Sequence, residues 1–330
     1  MVKPRFDILG IGNAIVDVLS PVPASFLATH AMTAGAMALI DAEAAERLYA
    51  AMPPAQEVSG GSAGNTCAVA AALGAKVAYF GKVADDQLGS VFRHDITAAG
   101  VHFPTAALAN AAPTARCLIL VTPDGQRTMN TYLGACVTFG EADVDAGVVA
   151  DSAVTYMEGY LFDPPAAQAA FRHAAAIAHA AGRQVALSLS DSFCVGRHRA
   201  AFRDLVAGHI DILFANEDEI TALYETDFAA SAELARKDVA LAAITRGAAG
   251  STIVRGSETA HIAAVKTTLV DSTGAGDAYA AGFLAAYTAG LDLAKCGTLG
   301  SIAAAEVISH YGARPQRPLG DELKKLVTQG

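Results

Sequence analysis

Short β-rich runs alternate with alanine-rich helical stretches almost from one end of this chain to the other, and that rhythm restricts the fold more than any other feature. Phe6-Asp7-Ile8-Leu9-Gly10-Ile11-Gly12 reads as a first, buried strand. A helix over Asn65 to Leu73 is stopped by Gly74. Lys76 to Phe80 is the next strand, and Gln87 to Ala99 the next helix, ending at Gly100. Gln168 to Ala181 reads as a helix capped by Gly182, Gln184 to Leu189 as a strand, and Asp211 to Ala215 as a strand running straight into acidic, helix-starting residues. Repeated alternation of this kind predicts a Rossmann-like α/β fold, a central mostly parallel sheet with helices on both faces. In such sheets ligands bind beyond the carboxyl ends of the strands.

One stretch breaks the rhythm. Ala115 to Val121, then Thr122-Pro123-Asp124-Gly125, then Arg127 to Tyr132, reads as a β-hairpin around a Pro-Asp-Gly turn. Val16 to Ile40 also lacks long helical periodicity. The expected organisation is an α/β body from 1–15, 42–113 and 134–330, with 16–41 and 114–133 forming a small β lid that excludes water from the site. There is no internal repeat and no low-complexity linker.

At 330 residues the chain can bury a large core. Its hydrophobic fraction of 53% is largely alanine, and no run of about 18 uncharged apolar residues suggests a membrane span. The opening Met1-Val2-Lys3-Pro4-Arg5-Phe6-Asp7 is too short and too quickly acidic for a signal peptide. With 23 basic and 33 acidic residues the net charge is −10, which argues against nucleic-acid or anionic-membrane partners. Cys67, Cys117, Cys136, Cys194 and Cys296 are odd in number and widely spaced, which disfavours a disulfide framework or a structural zinc site. The expectation is a reduced, cytoplasmic protein, a monomer or homodimer, whose partners are small molecules.

The strongest chemical signal is Asp271-Ser272-Thr273-Gly274-Ala275-Gly276-Asp277. It follows a predicted strand, Ala263 to Val270, and opens a helix whose Tyr279, Phe283 and Tyr287 recur every four positions. Two glycines let the backbone turn tightly and leave amides pointing outward. The amides of Gly274, Ala275, Gly276 and Asp277, with the positive end of the helix, form an anion hole for a phosphoryl group. The Asp277 carboxylate beside them can take the proton of a hydroxyl being phosphorylated. A helix N-terminus rich in small residues is the plainer alternative.

These residues resemble the PfkB, or ribokinase-like, carbohydrate and nucleoside kinase family, and the resemblance runs nearly end to end. Gly60-Gly61-Ser62-Ala63-Gly64-Asn65 is similar to that family's glycine-rich substrate motif. Gly81 to Gly89 resembles its following G-x-V-G-x-D-x-x-G segment, with Ala84 where glycine is usual. Asn216-Glu217-Asp218-Glu219 matches N-x-x-E, and Thr245-Arg246-Gly247-Ala248-Ala249-Gly250 resembles T-x-G-x-x-G. The order and number of these motifs make the resemblance specific.

The residues also carry physical readings. Gly60 and Gly61 permit close backbone approach, and Ser62 and Asn65 can meet substrate hydroxyls, though an ordinary helix start would look alike. Asn216 and Glu219, three apart, can face one water-bound Mg²⁺, or simply begin a helix. Thr245, Gly247 and Gly250 would let ATP approach, or merely turn the chain. Asp17, just past the first strand, can accept two hydrogen bonds from vicinal hydroxyls, and the resemblance implies that it binds ribose, with Asn13 beside it. Arg127 is either a lid cation that reaches the transferred phosphate or a solvent-facing hairpin arginine. The resemblance alone implies a monovalent cation, K⁺, held by Asp271, Thr273 and carbonyls near Gly312.

Within the family, Gly10-Ile11-Gly12-Asn13-Ala14-Ile15-Val16-Asp17 is most similar to the G-x-G-N-P-L-L-D opening of adenosine kinases. Leu189-Ser190-Asp191-Ser192-Phe193 resembles their L-S-A-P-F, and Glu158-Gly159-Tyr160-Leu161 their A-G-F-F, which makes Tyr160 the implied base-stacking residue and Phe162 its substitute. A strand-end core aromatic is the competing reading of Tyr160. Ala14, Asp191-Ser192 and Tyr160 depart from the pattern, so guanosine, inosine or a plain sugar stay open. A dinucleotide-dependent dehydrogenase is disfavoured because Ile15 stands where the third glycine of G-x-G-x-x-G belongs, and no Walker motif exists. A non-catalytic binder on the same fold is the remaining rival. The expected activity is ATP- and Mg²⁺-dependent phosphorylation of a hydroxymethyl group, foremost the 5'-hydroxyl of adenosine.

Overall fold

The computed structural model describes residues 3–328. Met1 and Val2, which open the run read above for a leader, lie outside the described residues. In chain order the strands are β1 (Phe6–Ile11), β2 (Ile15–Pro21), β3 (Met37–Leu39), β4 (Gln56–Ser59), β5 (Val77–Phe80), β6 (Val101–His102), β7 (Ala115–Val121), β8 (Arg127–Tyr132), β9 (Ser152–Glu158), β10 (Gln184–Ser188), β11 (Ile212–Asn216), β12 (Leu241–Thr245), β13 (Ser251–Arg255) and β14 (Glu258–Ile262). The helices are α1 (Ala24–Thr29), α2 (Ala42–Ala51), α3 (Ser62–Ala72), α4 (Gln87–Ala98), α5 (Ala146–Ala150), α6 (Pro165–Ala180), α7 (Ser192–His209), α8 (Glu217–Tyr224), α9 (Phe228–Asp238), α10 (Ala275–Thr288), α11 (Leu293–Val307) and α12 (Gly320–Thr328).

Nine strands form the main sheet in the order β14-β13-β12-β11-β10-β9-β1-β5-β6. It is parallel from β6 to β12, and the β13–β14 hairpin adds antiparallel pairs at one edge. Alternate side chains of each strand enter opposite cores, as the pleat requires. Ile8, Val77, Ala186 and Phe214 pack with α3, α4, α10 and α11 on one face. Leu9, Phe80, Leu187 and Leu213 pack with α6 to α9 on the other. The abundance of small residues is explained where helices meet. A Cβ on Gly282 of α10 would lie 2.5 Å from the Leu299 carbonyl of α11, and one on Gly300 would lie 2.8 Å from the Tyr279 carbonyl. Only small residues allow these two helices to run so close.

The hairpin Ala115–Val121 and Arg127–Tyr132 forms where it is predicted, in a second sheet ordered β3-β8-β7-β2-β4. Two details differ from the sequence reading. β4, within the stretch assigned to the body, pairs with β2 in this second sheet, and the stretch read as helix-free contains α1, entered through Pro23 and anchored by buried Leu27. A third difference bears on the site. Residues 263–270 are not a strand: the sheet ends at Ile262, and the segment is largely exposed and irregular until Val270 and Asp271 donate to the Ile308 carbonyl at the end of α11. Its β-prone Val, Thr and Leu residues pair with no strand, and tertiary context overrides the local preference.

Candidate active site

Five neighbouring parallel strands, β12, β11, β10, β9 and β1, end side by side, and the residues that follow them carry the predicted site in one row. Asn13 follows β1, Tyr160 follows β9, Asp191 follows β10, Asn216 closes β11 and Thr245 closes β12. The start of α10 and the start of α3 bring the remaining residues to the same place.

α10 begins with Gly274 in the left-handed region, φ 76°, where a Cβ would lie 2.7 Å from Cβ of Ala313. Ala275 donates its amide to the Ser272 carbonyl at 3.2 Å, closing the turn. Gly276 and Asp277 then occupy the first helical turn, whose amides have no intrahelical acceptors. Nothing lies within 4 Å of where a Cβ on Gly276 would be. Of the four amides read as an anion hole, those of Gly276 and Asp277 therefore have both the direction and the room for an anion.

The Asp277 carboxylate accepts a hydrogen bond from Ser62 Oγ at 2.6 Å, across from the first turn of α3. It keeps part of its surface accessible yet is hemmed in by protein. Burial pushes its pKa up from 3.8 to about 6, hydrogen bonds from Ser62 and Asn65 pull the other way, and the negative charge of Asp17 adds to the rise. Asp17 lies on β2, in the second sheet, and its charge is felt at Asp277, so the two layers each bring one carboxylate to the same site. Burial likewise raises Asp17 to about 6, against the opposing charges of Arg314 and Arg127. Gly60 is the wall behind Asp17, since a Cβ there would stand 2.4 Å from its Oδ2. Gly61 ends the turn with φ 82°, and its added Cβ would meet the Asn13 carbonyl at 2.1 Å. Gly61 is thus required by the backbone, while a side chain at Gly60 would displace the Asp17 carboxylate.

Gly61 has no side chain with which to cap α3, and a buried carboxylate does it instead. Glu158, 1% exposed at the end of β9, accepts from the Ala63 amide at 2.8 Å through Oε2 and from Asn13 Nδ2 at 2.8 Å through Oε1. Burial raises it to about 7 despite these bonds. Asn13 is therefore held from below by Glu158 rather than left free. The sequence reading treated Glu158 only as part of an aromatic motif; no local pattern marks a residue whose partners lie about 95 and 145 positions away.

The other predicted residues fall into place unevenly. Asn216 and Glu219 form a reciprocal capping box: Asn216 Oδ1 accepts from the Glu219 amide at 2.8 Å, and Glu219 accepts from Asn216 N and Nδ2 at 2.9 and 2.7 Å. Glu219 is buried and raised to about 7 by burial, with Asp191, Asp277 and Asp218 adding to the rise. Glu217 pairs with Arg246 at 3.0 Å. Thr245 Oγ1 reaches the Ala215 carbonyl at 3.5 Å, and Gly247 and Gly250 bracket the turn between β12 and β13 with φ of 53° and 87°. Tyr160 is 38% exposed, and its hydroxyl senses Asp191, Asp277, Glu219 and Glu158. Phe162, its expected substitute, is fully buried and stacked on Phe202 at 4.5 Å, so it belongs to the core. Phe193, 80% exposed at the start of α7, is instead the aromatic that stands free at the next strand end.

Arg127 is not the solvent-facing arginine that was the alternative to a lid cation. It is buried in an ion pair with Asp271 that ties β8 to the loop before α10. Asp271 Oδ1 also accepts from Thr273 N and Oγ1 at 3.0 and 2.7 Å, and Oδ2 from the Gly312 amide at 3.1 Å. Burial would raise Asp271, but these bonds and the Arg127 charge outweigh it and hold the carboxyl below its usual range. Asp271, Thr273 and Gly312 thus lie together, Gly312 through its amide. Among the described residues no group of three or more His, Cys, Asp or Glu has the arrangement to hold a metal ion by itself. A cavity of about 510 Å³ between α2, β3 and β8 shares no lining residue with the site.

The pfkB family carbohydrate kinase model matches residues 30–319, which takes in the glycine turn, the Asn216–Glu219 box and the Gly274–Asp277 turn. The chain belongs to that family. It is an ATP-dependent phosphotransferase. The kinase is 55% identical to a solved adenosine kinase from Sinorhizobium meliloti, with a TM-score of 0.89 over 97% of this chain and 99% of the other. It is 51% identical to a solved probable sugar kinase from Rhizobium etli CFN 42, with a TM-score of 0.90 over 98% and 99%. A curated adenosine kinase from Saccharomyces cerevisiae is 28% identical over 92% of this chain and 94% of its own. No helix among the kinase's described residues is long and apolar enough to cross a membrane.

Proposed function

We propose that this kinase transfers the γ-phosphoryl group of ATP to the 5'-hydroxyl of a purine nucleoside, adenosine foremost. The observation that carries the reading is the pair of partly exposed, electrostatically coupled carboxylates at the site, Asp277 at the mouth of α10 and Asp17 on the second sheet. Asp17 accepts the vicinal hydroxyls of the ribose, which points the 5'-hydroxyl toward Asp277. Asp277 takes the hydroxyl proton as the oxygen attacks phosphorus. The amides of Gly276 and Asp277 gather the charge on the migrating phosphoryl oxygens. Tyr160 and Phe193, exposed at neighbouring strand ends, offer flat faces to a purine; a stacked base is worth about 1–3 kcal/mol.

ATP lies along the β11–β12 end, by Thr245, Gly247 and Gly250. Mg²⁺ entering with the phosphates neutralises their charge, and Glu219, whose carboxylate shares a negative neighbourhood with Asp191 and Asp277, fits as the residue that orients its waters. The similarity to a probable sugar kinase keeps a free sugar as the second reading. ADP release measured with ATP against adenosine, guanosine, inosine, ribose and fructose separates the two. Adenosine is expected to give the highest kcat/KM; a clear preference for ribose or fructose would hand the site to the second reading.

A further inference from the structure

We propose that Arg314 is a positioning residue for substrate binding, tying the segment between α11 and α12 to the glycine turn, to Asp95 and to Asn65. Its Nη2 donates to Ser59 Oγ at 2.8 Å, immediately before Gly60. Nη1 lies 3.2 Å from Asp95 Oδ2, the oxygen that also accepts from Ser59 N and Oγ at 2.8 and 2.5 Å. Nε makes a longer contact of 3.5 Å to Asn65 Oδ1. One guanidinium thereby spans the end of β4, the start of α3 and α4. Planar and carrying five donors, it holds these groups in a fixed relation that a lysine could not reproduce.

The contact to Asn65 sets which way that amide faces. With Oδ1 turned to Arg314, Nδ2 is the atom left to face Asp277, whose pKa Asn65 lowers. The contact to Ser59 fixes the turn whose Gly60 lies against Asp17. The remaining role is electrostatic. Asp17 faces Asp277 from α10 and Cys117 from β7, and two cations, Arg314 and, less strongly, Arg127 from β8. Removing Arg314 leaves a half-dry carboxylate opposite another carboxylate, and such a group takes up a proton more readily. A protonated Asp17 loses acceptor capacity for the vicinal hydroxyls. Sequence reading had no signal for this residue, because a lone arginine in a tail has no pattern.

The inference rests on the riboside reading of Asp17, and the test separates the two. Arg314→Met and Arg314→Lys are compared with wild type and Asp17→Asn by steady-state kinetics across pH. Independently of any substrate, the carbon-13 carboxyl signal of Asp17, identified by its loss in Asp17→Asn, is titrated in the free protein. Arg314→Met is expected to raise KM for the nucleoside about tenfold with a smaller change in kcat. It should also move the Asp17 midpoint, and with it the acid limb of kcat/KM, about one pH unit higher. Arg314→Lys should restore the midpoint but not KM. Unchanged KM and an unchanged Asp17 midpoint in Arg314→Met overturn the proposal. Should that variant fail to fold by thermal melting, Arg314→Lys decides: raised KM with a wild-type midpoint supports the role, and wild-type KM overturns it. If wild type phosphorylates no nucleoside, the proposed function falls, while the titration still decides whether Arg314 governs Asp17.

Discussion

Asp277 has two properties that pull in opposite directions for a base. Burial raises its pKa to about 6, which strengthens it as a proton acceptor, but also sets a pH below which it is occupied. Since Asp277 and Asp17 must both be ionised, the first to accept the proton and the second to accept the ribose hydroxyls, kcat/KM is expected to fall below about pH 6 by about tenfold per pH unit for each of the two carboxylates. An acid limb lying below the usual carboxylate range would assign the essential group elsewhere. Asp277→Asn keeps the bond with Ser62 and the helix start, so the fold should survive while turnover falls about 10²–10⁴-fold. Near-normal turnover in that variant would remove Asp277 from the role. At this scale the sequence was most legible where a residue's role is local. Gly274, Gly276 and Asp277 stand where their spacing puts them. Glu158, Arg314 and the partner of Arg127 were not legible, because each is defined by a contact between distant parts of the chain.

The elements decide which of those residues can act. α10 presents its N-terminus to the site only because Gly274 adopts a left-handed conformation against Ala313. Gly276, one turn position later, faces open space. The two glycines therefore predict different outcomes. Gly274→Ala strains the backbone by about 1–2 kcal/mol and clashes with Ala313, so melting temperature and activity should fall together. Gly276→Ala meets nothing and gains up to about 1 kcal/mol of helix propensity, so it should melt no lower than wild type. Its methyl group stands where the phosphoryl oxygens would approach, and kcat should drop sharply. Full activity in Gly276→Ala would show that the phosphoryl group does not come to this turn. The strand expected before α10 is absent for a reason periodicity cannot supply: the chain leaves the sheet after β14, the edge strand, and 263–270 runs instead to the end of α11, where Val270 and Asp271 donate to the Ile308 carbonyl. The loop that replaces it is held by Ile308, Arg127 and Gly312 instead.

For the molecule as a whole, four buried or half-buried carboxyls are raised together: Asp17 and Asp277 from 3.8 to about 6, Glu158 and Glu219 from 4.5 to about 7. In the unfolded chain they ionise near 4, so across the interval up to about 7 the folded form binds more protons. Stability must then fall as pH rises through that interval and level off once the folded groups have ionised. Melting temperatures measured along this range should decline, and Glu158→Gln, which cannot ionise, should flatten the decline. A wild-type curve that rises through the window would contradict the raised values. Ligands that neutralise the site, nucleoside and MgATP together, are expected to stabilise most at the upper end, where the carboxylates are all charged.

The sequence by itself determined the alternating strands and helices, the hairpin of the second sheet and the turn that opens α10, because period, turn chemistry and glycine placement act over a few residues. Tertiary structure alone decided that Glu158 caps α3, that Arg127 pairs with Asp271, that Phe162 is core while Phe193 stands free, and that Arg314 reaches the glycine turn. Those outcomes depend on which buried charge finds which partner and which apolar face finds cover. Both are settled only when segments far apart in the chain close on one another.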